Sequence, residues 1–163
     1  MIGTSLTDDG VELLGQRRGL DGYLHASKTM GVPILYPWAN RLSANTYTAE
    51  LTPGDNGVRA DTNGLPIHGA LAAYPGWRVI TQSTNELTAE VDFGADRRLL
   101  ASFPYPHLLT VDMRLADRAV TVRTTVTQPA TPPSRCATAF ILTCRCRRRP
   151  AASGSSRPRR CCI

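Results

Sequence analysis

Few side chains in these 163 residues are placed to do chemistry. Asn40 and Arg41 stand together, and His68 precedes Gly69. The guanidinium of Arg41 is a planar fork of fixed donors suited to gripping hydroxyl groups. One nitrogen of the His68 ring can donate a hydrogen bond, and its pKa lies near neutrality. Taken alone, Arg41 is equally a surface ion-pair partner and His68 a loop residue. Trp38 and Trp77 have flat rings able to stack on a ligand, but the core is the simpler place for them. His25 and His107 lie in no catalytic pattern and read as structural. Five cysteines, Cys136, Cys144, Cys146, Cys161 and Cys162, all follow Thr127. Their spacing is not that of paired C-x-x-C ligands, and no nearby His or carboxylate completes a zinc site. No metal and no cofactor is therefore expected.

The elements that must position these residues read as β. Leu87 to Phe93, Leu108 to Leu115 and Ala119 to Thr127 alternate apolar and polar residues and are rich in β-branched side chains. Period-two alternation of this length marks strands with one buried face. Val79 to Thr81 adds a shorter strand, and Ala116-Asp117-Arg118 is a tight link that predicts an antiparallel hairpin. Between Met30 and Gly76, five prolines and five glycines break the chain into short strands and structured loops. Loops held by a rigid sheet are where binding residues concentrate. No long helical stripe and no internal repeat is present.

Charge divides the chain at the same point as cysteine. Residues 1–127 hold 11 Lys and Arg against 13 Asp and Glu, a net of −2. From Gln128 onward there are eight Arg and no acid, so the overall +6 belongs to that segment. Residues 128–163 are basic and rich in Cys, Pro and Ser, and a segment so poor in apolar groups is expected to be disordered. Its arginines could meet phosphates non-specifically, but no aromatic platform or recognition fold accompanies them, so nucleic acid is not an expected partner. No stretch approaches the roughly 20 apolar residues of a membrane helix, and residues 1–10 do not read as a secretory signal. A soluble, cytoplasmic protein with no membrane partner is the expectation.

Two stretches resemble the aldose 1-epimerase (galactose-mutarotase-type) family. The first is Gly31 to Leu42, GVPILYPWANRL, and the second is Asn63 to Gly69, NGLPIHG. Phe103 to His107, FPYPH, followed by a strand pair, is similar to a third family segment. The resemblance spans residues 1–127, somewhat under half of a typical member. It implies an all-β fold, part of a galactose-mutarotase-like antiparallel β-sandwich with a sugar cleft. It implies interconversion of the α and β anomers of a free hexose, galactose or glucose. By the same resemblance Asn40, Arg41 and His68 hold the sugar, and His68 also contributes to catalysis at the ring oxygen. A hexose-6-phosphate epimerase is the competitor within the class, but residues 1–127 reveal no phosphate pocket in the sequence, so neutral hexose is preferred. Outside the enzyme class, a non-catalytic carbohydrate-binding remnant and an Arg-tail nucleic-acid binder are also compatible with the sequence.

The family's acid His lies in a GFHPY segment about a dozen residues beyond the position of Thr127, and its base Glu lies near the C-terminus. Neither motif stands in this chain. The codon classes of Ala137 to Thr143, read one base back, permit RYGFHPY. A frame shift near Thr127 or Gln128 would account for both the lost motif and the Arg, Pro, Ala, Ser and Cys composition that follows. Each positioned acid or base contributes about 10²–10⁴ in rate. Without both, the chain is expected to lack mutarotase activity, and half a sandwich is expected to expose an apolar face and open edges.

Overall fold

The computed structural model describes residues 1–16, 18–26, 28–47, 50–51, 57–128 and 139–140. They form an all-β fold of antiparallel sheets with two short helices. In chain order the elements are β1 (Ile2–Gly3), β2 (Thr7–Asp8), β3 (Val11–Glu12), α1 (Gly19–His25) and β4 (Val32–Leu35). They continue with β5 (Arg59–Ala60), β6 (Pro66–Ile67), β7 (Arg78–Gln82), β8 (Glu86–Asp92) and α2 (Arg97–Ser102). The last three are β9 (Leu108–Ala116), β10 (Ala119–Thr127) and β11 (Ala139–Phe140).

The largest sheet runs β10-β9-β8-β7. Its register stacks apolar residues in rows across the strands: Val91, Leu109 and Val126 form one, and Leu87, Met113 and Val122 another. The alternation seen in the sequence thus selects the register, because a slip of one residue would turn every apolar side chain to the other face. The opposite face is polar. There Thr88 donates to Asp112 at 2.8 Å, and Arg78 meets Glu90 at 2.8 Å. The predicted hairpin joins β9 to β10 through Asp117 and Arg118, both at positive φ (50° and 60°). Two such residues match the twist of the flanking strands.

A second sheet, β1-β4-β11, lies across the core. Ile34, Tyr36 and Trp38 from the β4 segment pack in one cluster with Val91, Phe93, Leu109 and Val111. Trp38 is 8% exposed and Trp77 is half-buried against the same cluster, so both are core residues. The helices are brief. Two glycines, Gly19 and Gly22, fall within α1. Asp96 caps α2 by accepting the Arg98 N–H at 2.8 Å. Of the segment 128–163, expected to be without order throughout, Ala139–Phe140 pairs with Leu35 and Ile34 of β4. That pair extends an open edge of the sheet. Residues 129–138 and 141–163, all five cysteines included, lie outside the described residues. Among the described residues no helix is long and apolar enough to cross a membrane.

His107 is structural, as expected, but deep in the core. It is 3% exposed and stacks on Phe93 with ring centroids 4.2 Å apart. Its Nδ1 lies 2.6 Å from the Tyr105 carbonyl oxygen, which can only accept, so Nδ1 carries the proton. Nε2 then accepts from the Tyr36 hydroxyl at 2.7 Å. Burial holds the His107 pKa below the ordinary imidazole value, outweighing the Tyr105 carbonyl and Asp92. His68 is also lowered, first by burial and then by the nearby Arg59 charge. The unfolded chain therefore takes up protons at these histidines before the folded chain does. Their contribution to stability is full above about pH 6.5 and is lost as pH falls below it, by up to about 1.4 kcal/mol per pH unit per histidine. Thermal melts between about pH 8 and pH 5 should show a midpoint that holds and then declines from near 6.5. A midpoint flat through that range would contradict neutral, buried imidazoles.

Candidate functional site

The two sequence motifs are neighbours in space. Arg41 and Ile67 form an antiparallel bridge. The His68 N–H donates to the Asn40 carbonyl and the Leu42 N–H to the Pro66 carbonyl, each at 2.9 Å. On the other side of β6, Arg59 pairs with Ile67 and Ala60 with Pro66. The segment 41–42, β6 and β5 thus make a small three-stranded patch.

A close approach fixes this patch to the core. Gly69 bridges to Tyr36, and a Cβ on Gly69 would overlap the Tyr36 carbonyl oxygen. That oxygen accepts the Ala70 N–H at 2.8 Å and the Leu71 N–H at 3.3 Å. Only glycine admits this contact, and its φ of +70° suits it. His68 and Asn40 themselves sit at φ 67° and 61°. A left-handed L-residue costs on the order of 1–2 kcal/mol, less for Asn, and such residues gather where function over-determines the backbone.

His68 is half-buried, and its Nδ1 atom is buried with no hydrogen-bond partner among the described residues. With its pKa lowered, the ring is neutral at pH 7 and offers one donor and one acceptor. Arg41 is exposed, and its Nε faces the Asp61 carboxylate in an ion pair. The Asp61 side chain is only 4% exposed. Its Oδ1 accepts the Leu65 and Asn63 N–H groups, both at 2.8 Å. The Leu65 contact, together with Asn63 and Arg41, holds the Asp61 pKa below its ordinary value despite partial desolvation. Asp61 therefore tethers Arg41 at Nε.

Asn40, Arg41 and His68 are brought together by backbone pairing, but they do not share a preformed cavity with the clefts seen elsewhere on the surface. An apolar cleft of about 490 Å³ is lined by Leu6, Leu13, Val32, Leu115, Val120 and Val122, among others. A polar one of about 400 Å³ lies beside Tyr74, Arg78, Glu90 and Asp96. Neither includes the three residues. Reading the sequence alone misses Asp61 and Arg59. The Asp61-Thr62-Asn63-Gly64 turn signal was available, and the hairpin it closes is what puts both residues beside the motifs. The chain matches no protein-family model and no curated protein sequence.

Two substitutions probe the geometry. Asp61→Asn keeps an oxygen for the Asn63 and Leu65 N–H groups while removing the charge that faces Arg41. The Arg41 Nε–H signal in a ¹⁵N spectrum should shift and exchange faster with water, with the amide spectrum otherwise retained; an unmoved signal would show that Asp61 does not hold the guanidinium. At His68 the backbone strain makes glycine the better replacement. His68→Gly should be more stable than His68→Ala by about 1 kcal/mol in urea unfolding. Equal stability of the two variants would argue against the left-handed conformation.

Proposed function

We propose that this β unit is the sugar-gripping part of an aldose 1-epimerase-type protein, and that these residues bind a hexose pyranose through Asn40, Arg41 and His68. The observation that carries the reading is the pairing of Asn40–Leu42 with Pro66–His68 through two 2.9 Å backbone hydrogen bonds. It joins two motifs separated by more than 20 residues that the resemblance assigns to one site.

The chemistry follows from the donors. The Arg41 fork gives parallel N–H groups to adjacent ring hydroxyls. The neutral His68 ring gives one N–H to a ring or anomeric oxygen, a contact that a protonated ring would make at the cost of burying charge. Anomer interconversion requires removal of the anomeric hydroxyl proton and delivery of a proton to the ring oxygen. His68 is placed to polarise that oxygen. The family's acid His and base Glu have no counterpart in the motifs of these 163 residues, so binding without efficient turnover is the proposed property of this polypeptide.

Calorimetric titration of the full chain with galactose and glucose should give saturable binding, and Arg41→Ala and His68→Ala should each weaken it by about tenfold or more, the loss of a hydrogen bond to a charged or desolvated group. Polarimetry on the same material should show mutarotation at the buffer rate. Absence of saturable binding would refute the sugar reading, and mutarotation well above buffer would refute the loss of catalysis.

A further inference from the structure

The large sheet ends on one side in β10, whose outer edge pairs with no strand among the described residues. The direction of its backbone groups follows from the ladder. The Leu115 N–H donates to the Asn85 carbonyl at 2.8 Å, so the odd-numbered residues of β9 turn their backbone groups toward β8. Bonded and non-bonded pairs alternate along antiparallel strands. Ala116, Arg114, Asp112, Thr110 and Leu108 therefore bond to β10, and their partners Ala119, Thr121, Arg123, Thr125 and Thr127 use their own groups in return. The N–H and C=O groups of Val120, Val122, Thr124 and Val126 point out of the sheet. Proteins blunt such edges with short strands, charges, prolines or bulges. β7, at the far side of the sheet, does so: it has five residues and a register shift between Val79 and Thr81. β10 has nine residues in unbroken register, no proline, and Arg123 as its single charge.

The order of residues along that edge suits one partner in particular. Thr121 to Thr127 reads TVRTTVT. About Thr124 the segment is the same in both directions, except that Arg123 answers Thr125. A two-fold axis sets a strand against its own reverse, so a segment of this kind is its own complement. With the axis at Thr124, Val122 meets Val126 of the second copy, Arg123 meets Thr125, and Thr121 meets Thr127. Val122 and Val126 already end apolar rows packed on the core cluster, so the rows run on from one sheet into the next. Arg123, which stands opposite Asp112 in its own sheet, meets a hydroxyl and not a second cation. Moving the axis one residue, to Arg123, would oppose two guanidinium groups directly, which is destabilising. Thr124 supplies an independent sign. Its Oγ1 is buried with no hydrogen-bond partner among the described residues, a costly state for a hydroxyl. On the axis two Thr124 side chains stand opposite each other, where paired threonines can bond hydroxyl to hydroxyl.

We propose that β10 is a dimerisation edge: two copies of this chain pair β10 with β10, antiparallel about Thr124, and join two four-stranded sheets into one continuous sheet. The outward backbone groups of Val122, Thr124 and Val126 are satisfied by the second copy. Both copies use the same edge, so the assembly closes at two and does not grow into a filament. Asn40, Arg41 and His68 take no part, and the proposal stands or falls independently of sugar binding.

The experiment is sedimentation velocity on the full chain over a range of concentrations, in reducing buffer so that no cysteine bridge is read as strand pairing. A single step from monomer to dimer is expected, with no larger species. Hydrogen exchange on the same samples should show the Val122, Thr124 and Val126 amides gaining protection as the dimer forms, while those of Thr121, Arg123 and Thr125 are protected throughout. In dimers mixed from ¹³C-labelled and unlabelled chains, isotope-filtered NOEs should join Val122 of one copy to Val126 of the other. Thr124→Pro removes an outward N–H that β9 does not use, and should raise the dissociation constant by about a hundredfold or more. Thr124→Val keeps that N–H and replaces both hydroxyls together, and should dimerise within about tenfold of the wild type. Should Thr124→Pro fail to fold, exchange and NOEs on the wild type decide. A monomer at every concentration up to the solubility limit, growth beyond two copies, a dimer whose Val122, Thr124 and Val126 amides stay unprotected, or a Thr124→Pro chain that dimerises like the wild type would overturn the proposal.

Discussion

One buried residue, Tyr36, couples the candidate site to the rest of the molecule. Its hydroxyl donates to the buried His107, which immediately precedes β9, 2.7 Å away. Its ring meets Phe93 edge-on at 5.4 Å. Its carbonyl takes the Ala70 and Leu71 N–H groups, and Gly69 lies against it. The side chain thus belongs to the core and the backbone belongs to the site. A hydrogen bond between two buried groups is strong in its low-dielectric setting and costly to leave half-made. It therefore fixes the height of the 36–42 segment over β8 and β9. Everything downstream, the Asn40–His68 pairing and the β5–β6 hairpin, inherits that position.

The pairing then stores strain where it is most confined. Asn40 and His68 both hold positive φ at opposite ends of one hydrogen bond. Two isolated left-handed residues would relax if the chain were free to do so. Here Gly69 cannot withdraw without losing its contact with Tyr36, and Asn40 lies within five residues of the same anchor. The cost is met by the packing of Tyr36, Ala70 and Leu71, each 0% exposed.

The long strands were legible in the sequence, the site only in outline. β8, β9 and β10 announce themselves because one face must meet the core at every second residue, and their bounds follow the alternation closely. The hairpin at Asp117–Arg118 was legible for the same reason. The strands that build the site are two residues long, too short for any period to register, and their pairing is decided by a turn and by the Tyr36 anchor. Asn40, Arg41 and His68 could be singled out by motif. Arg59 could not, since nothing in its immediate neighbours marks it; only the register with Ile67 brings it to the patch. His107 could be set aside as structural, but its place in the core depends on partners 2 and 71 residues away, which a local reading does not join.

Cover over the large sheet is uneven, and the unevenness favours the site. Ala89, Val91, Leu109 and Val111 are at most 1% exposed where the β4 segment crosses them. Toward the β9–β10 turn the cover thins: Leu115 is 45% exposed and Val120 50%. There Leu6, Thr7, Asp8, Leu13 and Val32 approach around the apolar cleft of about 490 Å³, with Asp8 paired to Arg118. Apolar stabilisation follows the area removed from water, at roughly 25 cal/mol per Å², so the sheet is bound most firmly beneath Tyr36 and least firmly at its hairpin tip. Local opening begins where buried contact is least. Fluctuations of the β9–β10 tip then begin where the cover is thinnest, while Tyr36, which anchors the segment leading to Asn40, packs on the part of the sheet that opens last. The sugar site proposed above, whose donors would have to keep fixed directions, would be served by that ordering, and it arises from nothing more specific than which end of one sheet is covered.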